Sequence, residues 1–323
     1  MRTEKLLAVI AFSALAAAPA APAAQPAFPD KPIRLIIGSA AGSGPDIMAR
    51  LVADHLFEAW GQRVVVDPRP GVAGVISAGE ALRANPDGYT WMMLTSQLFV
   101  ATTVYPNLKF NLDKDFVSIG LIGTVPFVQM VNIKLPVKSI PELIALAKKS
   151  PGKLRYGSAG EGASEHLCGV MFTRLTGTDM LHVPYKGIAQ AIVDTLAGEV
   201  QLTYAVMPAA RPQVEAGRLR ALGVTSSKRA PQLPDVPAIA EAVPGYEMLG
   251  WYSLTAPAGT PDAILTKASA EVVKLVKEPE FGERLKTLGV ETIGGTRADL
   301  DKFRNGQRKL IGDLVRSAHI ELK

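Results

Sequence analysis

The chain has 323 residues, 48% of them hydrophobic and 20% charged, with a formal net charge of +5. That is length for two domains with an ample core, and ordinary content for a folded soluble protein. The positive excess is thinly spread, with no basic run interleaved with aromatics, which argues against a nucleic-acid partner. Its single cysteine, Cys168, rules out an internal disulfide framework, and no Cys/His spacing suggests a zinc site.

The first residues read as a secretory signal peptide, expected to span 1–24. Arg2 and Lys5 form a positive start, Leu6 to Ala18 is an apolar run short for a bilayer span, and Ala21-Pro22-Ala23 offers a cleavage site. Its removal deletes two cations and Glu4, taking the charge from +5 to +4. Export without disulfides points to a bacterial periplasm. Ile33–Ile37 is a strand run, followed by the small-residue stretch Gly38-Ser39-Ala40-Ala41-Gly42-Ser43-Gly44-Pro45 and a helix from Asp46 to Ala59. Pro45 suits a first helical turn, and Ser43 or Asp46 can cap it. A strand at Arg63–Val66, a small-residue helix near Val72–Ala84 and a strand at Tyr89–Thr95 complete a βαβαβ pattern. This predicts a mainly parallel sheet covered by helices.

Phe116–Gly123 and Thr124–Ile133 are the next two strand candidates, and Ser139 with Glu142 forms a capping box at a helix running to Lys149. The most informative stretch follows, Lys153 to Leu175, which reads as strand, glycine loop, helix. Gly157, Gly160 and Gly162 free the backbone to approach a ligand. The helix start aims unpaired N–H groups and the positive dipole end at one spot, which favours an anion. Ser158 and Ser164 can add hydroxyl donors. A tight strand-to-helix connection without a ligand is the alternative reading. The earlier loop at 38–45 is a second copy of the same device, so two glycine-rich helix starts could face each other across a cleft.

Strands at Val200–Val206 and Leu219–Thr225 alternate with helices, and a proline-rich connection leads to a strand at Tyr246–Thr255 and a helical C-terminal part. Two α/β lobes are expected: residues 25–126 with 251–323, and residues 127–250. Two crossover strands would form the hinge. Trp91, Trp251 and Tyr252 could stack on a ring-bearing ligand, with core or hinge packing as the alternative; Trp251, near the second crossover, is the preferred candidate.

Several blocks in order carry a resemblance: PDKPIRLI (29–36), DIMARLVADHL (46–56), GQRVVVDPRPGVAG (61–74), NPDGYT (85–90), YGSAGEGASEHL (156–167), HVPYKG (182–187) and APAGTP (256–261). Over essentially the whole mature chain the sequence resembles the Bug family, the extracytoplasmic solute receptors of tripartite tricarboxylate transporters. The resemblance implies a two-lobed, type II-like flytrap α/β binding protein that closes on a small organic carboxylate and docks on membrane subunits. It implies no cofactor and a monomer. Carried over residue by residue, the first loop supplies Ala41, Gly42, Ser43 and Asp46. The second supplies Ser158, Gly160, Gly162, Ala163 and Ser164, and Glu161 lies between its glycines. Thr95 and Ser96, at a strand end, are counted with them.

The chain departs from the family pattern in three places. Its first loop lacks the usual proline-phenylalanine start, which removes an aromatic wall and adds a hydroxyl. Ala163 stands where the family has Thr or Ser, and Ala205 where an acid is common. Glu161 would repel a second carboxylate if it faced the cleft. Signalling through a membrane sensor kinase is the alternative to transport. A hydrolase is disfavoured, because there is no G-x-S-x-G elbow and no nucleophile–base–orienter set.

Overall fold

The computed structural model describes residues 28–105 and 107–317. The expected signal peptide lies outside the described residues. Among the described residues ten strands, with ten α-helices packed on them, form two sheets that share one strand. β1 (Ile33–Ile37), β2 (Val64–Pro68) and β3 (Thr90–Thr95) run parallel in the order β2-β1-β3. Each is followed by a helix: α1 (Gly44–Trp60), α2 (Val75–Leu82) and α3 (Ser96–Val104). Parallel strands need such crossovers, and their C-terminal ends therefore share one edge. Both sheet faces are covered. Leu35, Ile37, Trp91 and Met93 enter one core cluster, while Ile36, Met92 and Leu94 enter the other. This two-sided burial explains why the strands read as unbroken apolar runs.

β4 (Phe116–Asn132) is one strand of 17 residues. The sequence suggested a break at Gly123, but that glycine keeps the strand continuous. A side chain there would begin 2.4 Å from the Glu291 carbonyl oxygen, on β10 (Glu291–Gly295), which pairs with β4. The first part of β4 pairs with β9 (Leu249–Pro257), which also borders β3. The second part, from Phe127, pairs with β7 (Leu202–Val206) and β8 (Leu219–Val224). Pro126, which has no N–H to give a ladder, falls where the partners change. Because β9 runs antiparallel to both β3 and β4, the first sheet is mixed rather than mainly parallel.

The second sheet continues from β7 to β5 (Arg155–Ser158) and β6 (Leu181–Pro184), all parallel. Its helices are α4 (Ile140–Lys149), α5 (Ser164–Thr176), α6 (Ile188–Ala197) and α7 (Met207–Glu215). At α4, Ser139 Oγ accepts from Glu142 N–H, but the Glu142 carboxylate reaches Lys138 N–H rather than closing the box. After β9 come α8 (Asp262–Leu275), α9 (Pro279–Thr287), β10 and α10 (Arg297–Ser317). The last helix packs on β4, α3 and α5, so it touches elements of both sheets. The architecture is a two-lobed α/β binding-protein fold.

The chain crosses back from β8 to β9 at Thr225, which is fully buried. Its hydroxyl accepts from Phe127 N–H at 2.8 Å and donates to the Met248 carbonyl at 2.5 Å. Its N–H donates to the Phe127 carbonyl at 2.9 Å. One side chain thus ties both connecting segments together. Replacing Thr225 with the near-isosteric Val strands a buried N–H and a buried carbonyl, so Thr225→Val should destabilise the fold by about 2 kcal/mol. Chemical denaturation checks this. A loss within experimental error of zero would remove Thr225 as the clasp.

Candidate functional site

The C-terminal edge of the parallel strands gathers several helix starts. In the first loop, Gly42 takes a left-handed φ of 78° and its N–H donates to Asp46 Oδ2 at 2.9 Å. Asp46 is buried and chelated by Arg50 one turn on, through Nε and Nη2, both at 3.0 Å. The hydrogen bonds from Arg50, and then that from Gly42, hold its carboxyl below the usual carboxylate range despite burial. Asp46 therefore shapes the loop from inside. Ser43 precedes the helix at the capping position, yet its hydroxyl donates back to the Ala40 carbonyl at 2.6 Å. A serine there ordinarily caps the helix for about 1 kcal/mol. Here the first N–H groups of α1 are left without a side-chain cap, and Ala41 and Gly42 are exposed.

The second loop repeats this from β5 to α5. The residue at the capping position is Ala163, which has no oxygen to offer, so α5 also starts uncapped. Ser164, Glu165 and His166 have no acceptor inside the helix. Ser164 Oγ is buried with no hydrogen-bond partner among the described residues, and so is Glu165 Oε2. Gly160 and Gly162 adopt φ of 137° and 70°. Ser158 is fully buried and its hydroxyl serves the loop, accepting from Gly160 N–H at 3.1 Å beside His182 Nε2 at 2.6 Å. Gly162 N–H donates to His166 Nδ1 at 3.0 Å. Glu161 is exposed, and its carbonyl accepts from the Tyr105 hydroxyl at 3.3 Å.

α3 joins these parts. Thr95 caps it loosely, accepting from Leu98 N–H at 3.5 Å, and Ser96 is buried in its first turn. In the sheet, Thr95 lies opposite Tyr252. The Tyr252 hydroxyl reaches to 3.2 Å from where a side chain on Gly44 would begin, so a larger residue there would crowd the phenol. Burial pushes this phenol up, keeping it a neutral donor at physiological pH. At the other end of α3, Val104 packs under Gly162. Thr95 and Gly44 thus lie beside Tyr252, while the second loop sits on the far end of α3.

Trp251 points the other way. It is 1% exposed, its ring edge-on to Phe99 at 5.4 Å and Phe303 at 5.6 Å, inside the core between α3 and α10. Alternation along a strand puts neighbours on opposite faces, so one of Trp251 and Tyr252 had to face inward. The sequence named Tyr252 among three aromatic candidates but favoured Trp251. It also left α3 unassigned, since Phe99, Val100, Thr102, Thr103 and Val104 suit a strand as well as a helix.

Residues 48–320 match the model of the family described as tripartite tricarboxylate transporter family receptor. The chain belongs to that receptor family. It is 31% identical to Protein BugT of Bordetella pertussis over 326 residues, covering 100% of both chains. The solved structure of R. palustris Rpa4515 with adipate superposes with a TM-score of 0.84 at 34% identity, covering 90% of this chain and 98% of that one. MatC from Rhodopseudomonas palustris with bound malate gives 0.78 at 26%, covering 89% and 100%. The family is one of solute-binding receptors, in agreement with the resemblance read from the sequence. Among the described residues, no helix is long and apolar enough to cross a membrane.

The buried Glu165 and His166 and the half-buried His182 give opposing pH trends. Burial pulls His166 down to about 4, and burial with the nearby His166 pulls His182 to about 3. Burial pushes Glu165 up to about 7. The unfolded chain protonates both histidines below 6.5 while the fold does not, so their contribution is full above that pH and fades as pH falls. Glu165 acts oppositely: its contribution is full below 4.5 and fades as pH rises towards 7. Between these limits unfolding takes up two protons and releases one, a net slope of about 1.4 kcal/mol per pH unit. Glu165→Gln removes the release, so the slope should roughly double. Denaturation midpoints between about pH 5 and 6 read it, and an unchanged slope would show that Glu165 is ionised in the fold.

Proposed function

We propose that this protein is a periplasmic receptor that closes its two lobes on a small organic carboxylate and delivers it to the membrane subunits of a tripartite tricarboxylate transporter. The carrying observation is that α1 and α5 each start behind a loop with left-handed glycines, with the partnerless Ser164 hydroxyl beside the second; a side-chain cap is missing from α2 and α6 to α9 as well, so the glycine loops and Ser164, not the missing cap, single these two starts out. An uncapped helix start offers N–H groups and positive potential without a mobile cation, and a carboxylate fits both. The adipate and malate in related structures support the same ligand class.

In this reading Ala41, Gly42 and Ser43 present the first helix start, and Asp46 holds it. Gly160, Gly162, Ala163 and Ser164 present the second. Thr95, Ser96 and Tyr252 supply donors between them. Residues 25–126 with 251–323 form one closing body and 127–250 the other. Residues 1–24 direct export, and the mature receptor is a monomer.

Thermal shift followed by calorimetry against adipate, malate and a tricarboxylate tests the reading. Binding of at least one is expected, and Ser164→Ala should weaken it about tenfold, the worth of one hydrogen bond to a charged group. A folded protein that binds no organic carboxylate would overturn it.

A further inference from the structure

Behind the second loop two imidazoles lie face to face. His166, in the first turn of α5, and His182, on β6, stack with centroids 3.7 Å apart and planes 4° from parallel. Tyr156 on β5 flanks both rings, at 5.1 Å from His182 and 6.2 Å from His166. Each ring turns one nitrogen to the loop. His166 Nδ1 accepts from Gly162 N–H, and His182 Nε2 meets the Ser158 hydroxyl that accepts from Gly160 N–H and donates to the Gly160 carbonyl. The two glycines held in this way are the ones with positive φ, whose conformation the loop could most easily lose.

The contacts fix chemistry as well as place. A nitrogen that accepts from an amide carries no proton, so His166 presents a bare Nδ1. The hydrogen bond holds Gly162 immediately before Ala163 and the first turn of α5. Ser158 is held at the other end of the loop, where β5 stops. Each histidine therefore fixes one end of the same glycine turn, and neither offers that nitrogen to the cleft.

We propose that His166 and His182 are a positioning pair for the ligand loop: they act through Gly162 and Ser158 to keep the start of α5 aimed into the cleft. This rests on the carboxylate-receptor reading for its effect on affinity, but not for its effect on the loop.

The test uses amides that mimic one ring nitrogen at a time. An asparagine oxygen can stand near Nδ1 and a glutamine end group near Nε2. His166→Asn should keep the Gly162 contact and His166→Gln should lose it. His182→Gln should keep the Ser158 contact and His182→Asn should lose it. Two readouts are taken on all four variants, each shown to be folded by its thermal transition. The first is amide hydrogen exchange at Gly160 and Gly162 without ligand. The second is calorimetric affinity for adipate and malate.

The expected result is a crossed pattern. His166→Asn and His182→Gln should stay near wild type. His166→Gln and His182→Asn should exchange faster and bind about tenfold more weakly, the loss of one buried hydrogen bond. Equal losses in all four variants would mean the rings only fill space, and no loss in any would mean the loop holds itself. Either result overturns the proposal. If the wild type binds neither acid, the functional reading is in trouble, and the exchange pattern still decides the histidine pair.

Discussion

A helix start has N–H groups that its own backbone cannot satisfy, and they need a side chain, water or a ligand as acceptor. At α1 and α5, as at α2 and α6 to α9, no side chain supplies one. Ser43 turns its hydroxyl back to Ala40, and Ala163 has none to turn. The residues around these ends maintain that condition. Asp46 takes the Gly42 N–H, and the histidines with Ser158 take those of Gly162 and Gly160. The turns are thereby fixed from within, while the helix starts are left for an acceptor from outside. A carboxylate is such an acceptor, and this arrangement needs no arginine clamp.

The second constraint is the strand shared by both sheets. β4 carries the first sheet's partners as far as Pro126 and the second sheet's from Phe127. Thr225 bonds to that point and to the returning chain at Met248. The two sheets therefore meet at this point through β4 and the returning chain. Across the molecule, α10 lies against α3 and α5, and the second loop rests on Val104 and Tyr105. These contacts link the helix that borders the first loop to the loop that opens α5.

Much of this was legible in the chain. The parallel β1–β3 unit followed from apolar runs and helix stops, and both glycine loops were visible because glycine and proline mark turns locally. What escaped depended on partners distant in sequence. Gly123 looked like a strand end because its reason, the Glu291 backbone, is 168 residues away. The run after Thr95 is rich in branched residues and has no polar face, so only its burial between β9, α5 and α10 makes it a helix. The identities of the cleft residues were less legible than its loops. Ser158 carries the right hydroxyl, but His182 and Gly160 engage it. Trp251 was the favoured ring, but the strand's alternation buries it between α3 and α10 and brings Tyr252 beside Gly44 instead. The buried Glu165, adjacent to Ser164, had no sequence signal separating it from an ordinary exposed first-turn acid.

The central claim is that backbone N–H groups at two uncapped helix starts hold the ligand. The most direct measurement is an amide NMR titration of the protein with adipate or malate. The account predicts the largest shifts at Gly44, Asp46, Ser164 and Glu165, saturating together as the acid binds. Saturable binding that leaves those amides unmoved while others shift would contradict it.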